Sequence, residues 1–189
     1  CDYFTFYVPG YRFMPAYRNK IWDGKIRLFN LRNKLLYNGL IDHVIKFAKD
    51  REYKIEYKSF PKVVNKYDKG DFERFARNLN LSIEPRDYQI DAFLYAINHE
   101  RCLLLSPTAS GKSFIIYLLI RYYQQKVSNF KCLVIVPTTS LVAQMSSDFN
   151  EYAKDDSWNS AENIHQIFQG RDKVSDRPIY ISTWQSLYK

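Results

Sequence analysis

Residues 103–120 read LLLSPTASGKSFIIYLLI. An apolar run stops at Ser106, a loop of small residues follows, Gly111-Lys112-Ser113 closes it, and apolar residues resume at helical spacing. Strand, loop and helix in that order suit a phosphate, because loop N–H groups and the helix N-terminus both point at it. SPTASGKS, Ser106–Ser113, compares with the phosphate-loop pattern G-x-x-x-x-G-K-[ST], with Ser106 in place of the first glycine. Ser is small enough for that place. In this reading the backbone N–H groups of Thr108, Ala109, Ser110 and Gly111 cradle phosphate oxygens. The Lys112 ammonium reaches the β- and γ-phosphates, and the Ser113 hydroxyl ligates Mg²⁺. A bare Gly-Lys-Ser is also an ordinary helix start, since Ser caps helices well. The strand before it and the helix after it favour the nucleotide.

Working outward, the pattern from residue 85 onward alternates. The spacing predicts helices over 86–98, 113–125 and 140–154, and strands over 102–106, 131–137, 163–168 and 178–183. The helix over 86–98 is expected to share a face of Tyr88, Ala92, Tyr95 and Ala96. Strands alternating with helices imply βαβ units and a parallel sheet with both faces covered, so its strands are continuous apolar runs. The expected class is α/β, an incomplete P-loop domain over 85–189 preceded by a small α+β domain over 1–68, with 69–84 as linker and short helix.

The front of the chain differs in charge. Residues 1–80 hold 17 Lys and Arg against 9 Asp and Glu, and residues 81–189 hold 11 of each, so the whole net charge of +8 lies in front. The same 80 residues carry 17 Phe, Tyr and Trp. Basic residues among aromatics suit phosphate contact with base stacking. A small basic domain with an aromatic core has the same composition. The pattern predicts an extended start at 3–8, a hairpin turned by Asp23-Gly24 and another by Arg32-Asn33. It further predicts a helix over 41–51 and a closing strand over 53–58. Arg12, Arg18, Lys20, Lys25, Arg27, Arg32 and Lys34 cluster about these hairpins and are candidate DNA-backbone contacts. Trp22 is expected to pack beside the turn.

Three further stretches flank the loop. In RDYQ (86–89), Gln89 can pair with the adenine edge and so select ATP. IVPTTSLVAQ (135–144) ends a strand and opens a helix through Thr138 and Thr139. ISTWQSL (181–187) ends another strand, with Thr183 followed by Gln185. Hydroxyls at strand ends lie where an open α/β sheet places its ligands, and they suit a nucleic-acid phosphate as well as plain helix capping.

Taken in order, RDYQ, SPTASGKS, IVPTTSLVAQ and ISTWQSL resemble the Q motif, motif I, motif Ia and the next DNA-contacting motif of the superfamily 2 helicases, which carry a RecA-like motor core. GYRFMPAYRNKIWDGKIRLFN (10–30) resembles the stretch that precedes the motor in the recombination helicases of phage. The resemblance implies ATP-driven unwinding or branch migration of DNA in recombination and repair. It implies adenine recognition by Gln89, phosphate and Mg²⁺ handling by Gly111, Lys112 and Ser113, and a nucleic-acid track through Thr138, Thr139, Thr183 and Gln185. It also implies an Asp-Glu pair after residue 183 and a second RecA-like domain. The chain contains neither, so it is expected to be an N-terminal fragment that does not unwind alone. A restriction–modification motor subunit shares the same core. A P-loop kinase or GTPase, and a DNA-binding module with a vestigial loop, are the readings outside the family.

Other classes are disfavoured. No run of 18 apolar residues suggests a membrane span, and no basic leader precedes an apolar core. Cys1, Cys102 and Cys132 are odd in number; Cys102 and Cys132 are expected as buried thiols in a reducing, cytoplasmic setting. His43, His99 and His165 are scattered, without metal-ligand spacing or a Ser/His/Asp set.

Overall fold

The computed structural model describes residues 2–56, 66–99, 101–168, 170 and 172–188. The chain divides into two compact units, Cys1–Phe60 and Pro61–Lys189.

In the first unit, Thr5–Tyr7 (β1) pairs antiparallel with Lys25–Arg27 (β2), Thr5 opposite Arg27 and Tyr7 opposite Lys25. Between them the chain winds through a 3₁₀ turn, Tyr11–Phe13, and one short helix, Pro15–Arg18 (α1). Asp23-Gly24 therefore does not turn a hairpin between its own flanks. It feeds β2 toward β1, and the Gly24 carbonyl accepts from Val8 N–H at 2.9 Å. Gly24 has φ 78°, and a Cβ there would stand 2.3 Å from the Tyr11 ring, so close approach is what requires glycine. The second hairpin forms as expected: Phe29–Asn30 (β3) pairs with Leu35–Leu36 (β4). The Asn30 side-chain oxygen accepts from the N–H groups of Arg32 and Asn33, an Asx-type closure of the turn. Ile41–Lys49 (α2) follows. The expected closing strand does not form over 53–56; Tyr53 N–H returns to the Ala48 carbonyl, so the segment leaves the helix by a turn. Residues 57 and 58 of that expectation lie outside the described residues.

The second unit opens with Lys69–Leu79 (α3), whose Asp68 and Asp71 form a reciprocal capping box. Asp87–Ile97 (α4), Lys112–Lys126 (α5), Cys132–Ile135 (β5), Thr139–Tyr152 (α6), Ser160–Asn163 (α7), Ile164–Ile167 (β6), Ile179–Ser182 (β7) and Trp184–Tyr188 (α8) follow. The three strands form one parallel sheet in the order β5-β7-β6, with Ile179 level with both Cys132 and Ile164. The βαβ expectation holds for these elements. The core is aromatic: Phe75 stacks on Phe93 at 5.3 Å between ring centres, and Phe72 and Tyr122 meet Phe93 edge-on. Arg121 of α5 is buried, bonds Asp156 beyond α6 and Tyr117 at 2.5 Å each, and lies over Trp158. A buried cation needs such partners.

Four expectations are corrected here. Residues 102–106 adopt no regular element and join no ladder among the described residues, and Leu103 and Leu105 are exposed; an apolar run becomes a strand only where a neighbour supplies its hydrogen bonds. For the same reason Cys102 is an exposed thiol, while Cys132 is half-buried with its thiol pushed up by burial. Strand β5 is not covered on both faces: Val134 is buried but Leu133 and Ile135 are half exposed. Helix α4 buries Gln89, Phe93, Ala96 and Ile97 and leaves Tyr88 and Tyr95 exposed, because Phe93 is drawn into the aromatic core.

Candidate nucleotide and nucleic-acid sites

The loop at 106–113 is built by its own backbone. Ala109 (φ 63°) and Gly111 (φ 75°) are both left-handed, which curls the chain back on itself before α5 begins at Lys112. Ser110 is buried; its hydroxyl donates to the Pro107 carbonyl at 2.8 Å and also meets Ser106 Oγ. Ser106 thus does structural work that a glycine could not. Lys112 folds back across the loop, its ammonium 2.7 Å from the Pro107 carbonyl and 3.5 Å from that of Ser106. Those carbonyls hold the cation over the curl where a phosphate would otherwise neutralise it.

Gln89 is brought to this loop. Its side-chain oxygen accepts from Arg86 N–H at 3.0 Å, and its amide donates to the Ser110 carbonyl at 3.1 Å. Tyr88 donates to the same carbonyl at 3.0 Å, a contact that pattern reading assigned to a helix face instead. A Cβ on Gly111 would lie 2.3 Å from the Gln89 nitrogen. RDYQ and SPTASGKS are therefore one unit: the glutamine braces the loop, and only glycine lets it approach. The braced loop borders a cavity of about 760 Å³ that Arg86, Tyr88, Tyr95 and residues 103–110 line.

Ser113, in the first turn of α5, is half-buried, and its hydroxyl lies 2.8 Å from the Tyr152 hydroxyl of α6. Burial raises the Tyr152 phenol above its ordinary value, an effect that the Ser113 bond partly opposes. Among the described residues no group of three or more His, Cys, Asp or Glu could hold a metal. The Ser113 hydroxyl is one protein oxygen at the loop that fits Mg²⁺ carried in by phosphates and water.

A second cavity, of about 570 Å³, opens at the C-terminal ends of β5, β6 and β7. It gathers Thr138, Thr139, Thr183 and Gln185, all four residues expected along a nucleic-acid track, and adds Lys173 and Ser186. The hydroxyls are less free than the sequence suggests. Thr138 caps α6 by accepting from Leu141 N–H, and Thr183 is buried, accepts from Ser186 N–H at 3.3 Å and meets Ser186 Oγ. They shape the rim, while exposed Thr139, Gln185 and Lys173 face outward. Lys173 had only a weak signal, a lysine in the polar loop joining β6 to β7.

In the first unit, Arg18, Lys20 and Arg27 border one open concavity with Arg12, Tyr17 and Trp22. Lys25 does not; it lies on β2 with its ammonium 4.9 Å from the Tyr7 ring centre. Arg27 is paired with Asp23, whose carboxyl that pair holds below its usual range. Trp22 is half-buried and donates to the Lys25 carbonyl at 2.9 Å, so it packs beside the turn as expected.

Residues 82–189 match the family model described as type III restriction enzyme, res subunit, and residues 1–58 match the model described as DNA helicase UvsW, N-terminal. The whole chain is 36% identical to the ATP-dependent DNA helicase uvsW of Enterobacteria phage T4. The chain belongs to the UvsW-like helicases. It spans 38% of the length of that T4 protein. A crystal structure of the T4 UvsW helicase superposes with a TM-score of 0.80, covering 98% of this chain and 67% of the other. A second T4 UvsW crystal structure gives 0.83, covering 100% and 39%. The UvsW-like fold thus extends through both units, and no described helix is long and apolar enough to cross a membrane.

Proposed function

We propose that this chain is the ATP- and DNA-binding front of an ATP-dependent DNA helicase that unwinds or branch-migrates forked and branched DNA in recombination and repair. The observation that carries the proposal is a curled, lysine-closed loop braced by Gln89, in the same unit as a hydroxyl- and lysine-rimmed cavity at the ends of a parallel sheet. A loop alone leaves a kinase or a GTPase open. A strand-end cavity rimmed by Thr139, Gln185 and Lys173 instead suits an extended polyanion.

In the proposed mechanism the N–H groups of Thr108–Gly111 and the start of α5 receive the phosphates. Lys112 exchanges its carbonyl partners for the β- and γ-phosphate oxygens. Gln89 stays on the loop or turns its amide to adenine. Ser113 presents its hydroxyl to Mg²⁺, which when bound neutralises the phosphate charge that builds up during hydrolysis. Thr138, Thr139, Thr183 and Gln185 set the nucleic-acid backbone at the strand ends, and Arg18, Lys20, Lys25 and Arg27 offer a second, basic surface. The likeness of residues 1–58 to a UvsW leading domain favours this reading over a restriction motor subunit, which shares only the later part.

The test is ATP hydrolysis by the whole protein with and without forked DNA, for wild type and Lys112→Ala. The expected result is strong DNA stimulation, reduced about 100-fold or more in the variant, the scale on which one charge-stabilising group acts. Turnover without response to any DNA or RNA refutes the helicase reading.

A further inference from the structure

We infer that Tyr152 is a positioning residue for Ser113: its hydroxyl takes the Ser113 proton as hydrogen-bond acceptor and so turns the serine lone pairs toward a phosphate-bound cation. The inference rests on the phosphate-loop reading above. It begins from the 2.8 Å contact between the two hydroxyls, made across 39 residues of sequence.

A serine hydroxyl carries one proton and two acceptor lone pairs. As a cation ligand it must offer a lone pair and send its proton elsewhere. Among the described residues Tyr152 is where that proton can go. Tyr152 is held in place from three sides. Its ring meets Phe114 edge-on at 5.0 Å and Tyr117 at 5.6 Å. Its carbonyl accepts from Ser82 Oγ at 3.2 Å, and the Glu151 carbonyl accepts from the same hydroxyl at 3.0 Å. The C-terminal turn of α6 is therefore pinned, and the phenol cannot swing away without breaking core contacts. A phenol hydroxyl can accept as well as donate, so it can receive the serine proton.

The same geometry has a consequence at the other end of α6. Thr138 caps the N-terminus of that helix at the strand-end cavity, and Tyr152 ends it against Ser113. One helix thus touches both candidate sites.

The experiment uses the whole protein and a fluorescent ATP analogue, titrated in chelator and in saturating Mg²⁺. The ratio of the two affinities is the readout, and it does not require turnover. Tyr152→Phe keeps the ring packing and removes only the hydroxyl. It is expected to leave the metal-free affinity within about twofold and to lower the Mg²⁺-dependent gain by about 3- to 10-fold, the worth of one hydrogen bond. Ser113→Ala lowers the same gain, and the double variant is expected to lose no more than Ser113→Ala alone, since both changes remove one interaction. An unchanged gain in Tyr152→Phe beside a lost gain in Ser113→Ala overturns the inference. So does an equal loss with and without Mg²⁺, which would assign Tyr152 to packing alone. Lys112→Ala separates the two levels: if it leaves the metal-free affinity intact, the phosphate-loop reading itself fails.

Discussion

The two units use the same residue types in opposite ways. In the second, Phe72, Phe75, Phe93, Tyr117, Tyr122 and Phe149 are buried and pack ring on ring. In the first, only Gly24 and Ala48 are buried among the described residues, and the aromatics are half-buried or exposed, three of them beneath cations. Tyr7 stacks on Tyr11 at 4.7 Å under the Lys25 ammonium, and the Arg51 guanidinium lies 3.9 Å from the centre of Phe47. Residues 1–60 hold 12 Lys and Arg against 6 Asp and Glu, so +6 of the chain's net +8 lies in the first unit. A core of interlocking rings packs beneath a loop and three strand ends. A skin of rings and cations fixes less, but offers stacking faces and positive charge together.

The largest expected effect breaks this contrast if it is wrong. Phe93→Ala removes a ring that three others contact and should cost about 3–5 kcal/mol of stability. Tyr7→Ala, half exposed, should cost under about 1 kcal/mol. Chemical denaturation of both variants measures the difference. Equal costs would mean that the surface rings of the first unit are its core after all.

A smaller effect sharpens the contrast from the binding side. Arg18→Ala with Lys20→Ala removes two exposed cations from one concavity. If each meets a phosphate, the salt slope of duplex DNA affinity should fall by about 2, with little change in thermal stability. An unchanged slope would move DNA contact to the strand-end cavity alone.

What was legible in the sequence follows the reach of each interaction. Helices α5 and α6, strands β5–β7 and the loop between Ser106 and Ser113 were legible because spacing, caps and turn residues act within a few positions. The Asn30-to-Asn33 turn was legible for the same reason. Elements that depend on a distant partner were not. Residues 102–106 have the composition of a strand but no ladder among the described residues, and Cys102 and Leu103 are exposed rather than buried. Asp23-Gly24 looks like a hairpin turn, yet β2 finds β1 some twenty residues back. The buried face of α4 is set by Phe72 and Phe75 of another helix, not by its own periodicity. At the sites, the residues themselves were legible, but the use of each hydroxyl was not. That Thr183 is spent on a cap, or that Tyr152 meets Ser113, is written only in the packing.

The smallest predicted effect concerns how ready the first unit's surface is to bind. Asp23 accepts from Lys25 N–H at 3.1 Å and from both Arg27 nitrogens, and the Arg27 bond chiefly holds its carboxyl below the usual value. A carboxylate whose folded value is depressed stabilises the fold above its unfolded value, near pH 4, and loses that contribution as pH falls through the folded value. The melting difference between wild type and Asp23→Asn should therefore be small and positive at pH 7 and vanish toward pH 2, as befits an exposed pair. The same substitution releases Arg27 from its partner. If the concavity meets DNA, Asp23→Asn should bind duplex slightly more tightly at low salt, with the slope steeper by up to about 1. Weaker binding would say that Asp23 aims Arg27 rather than occupying it. Order, and not charge alone, would then be what this surface offers, and the contrast with the ring-packed unit would be narrower than burial suggests.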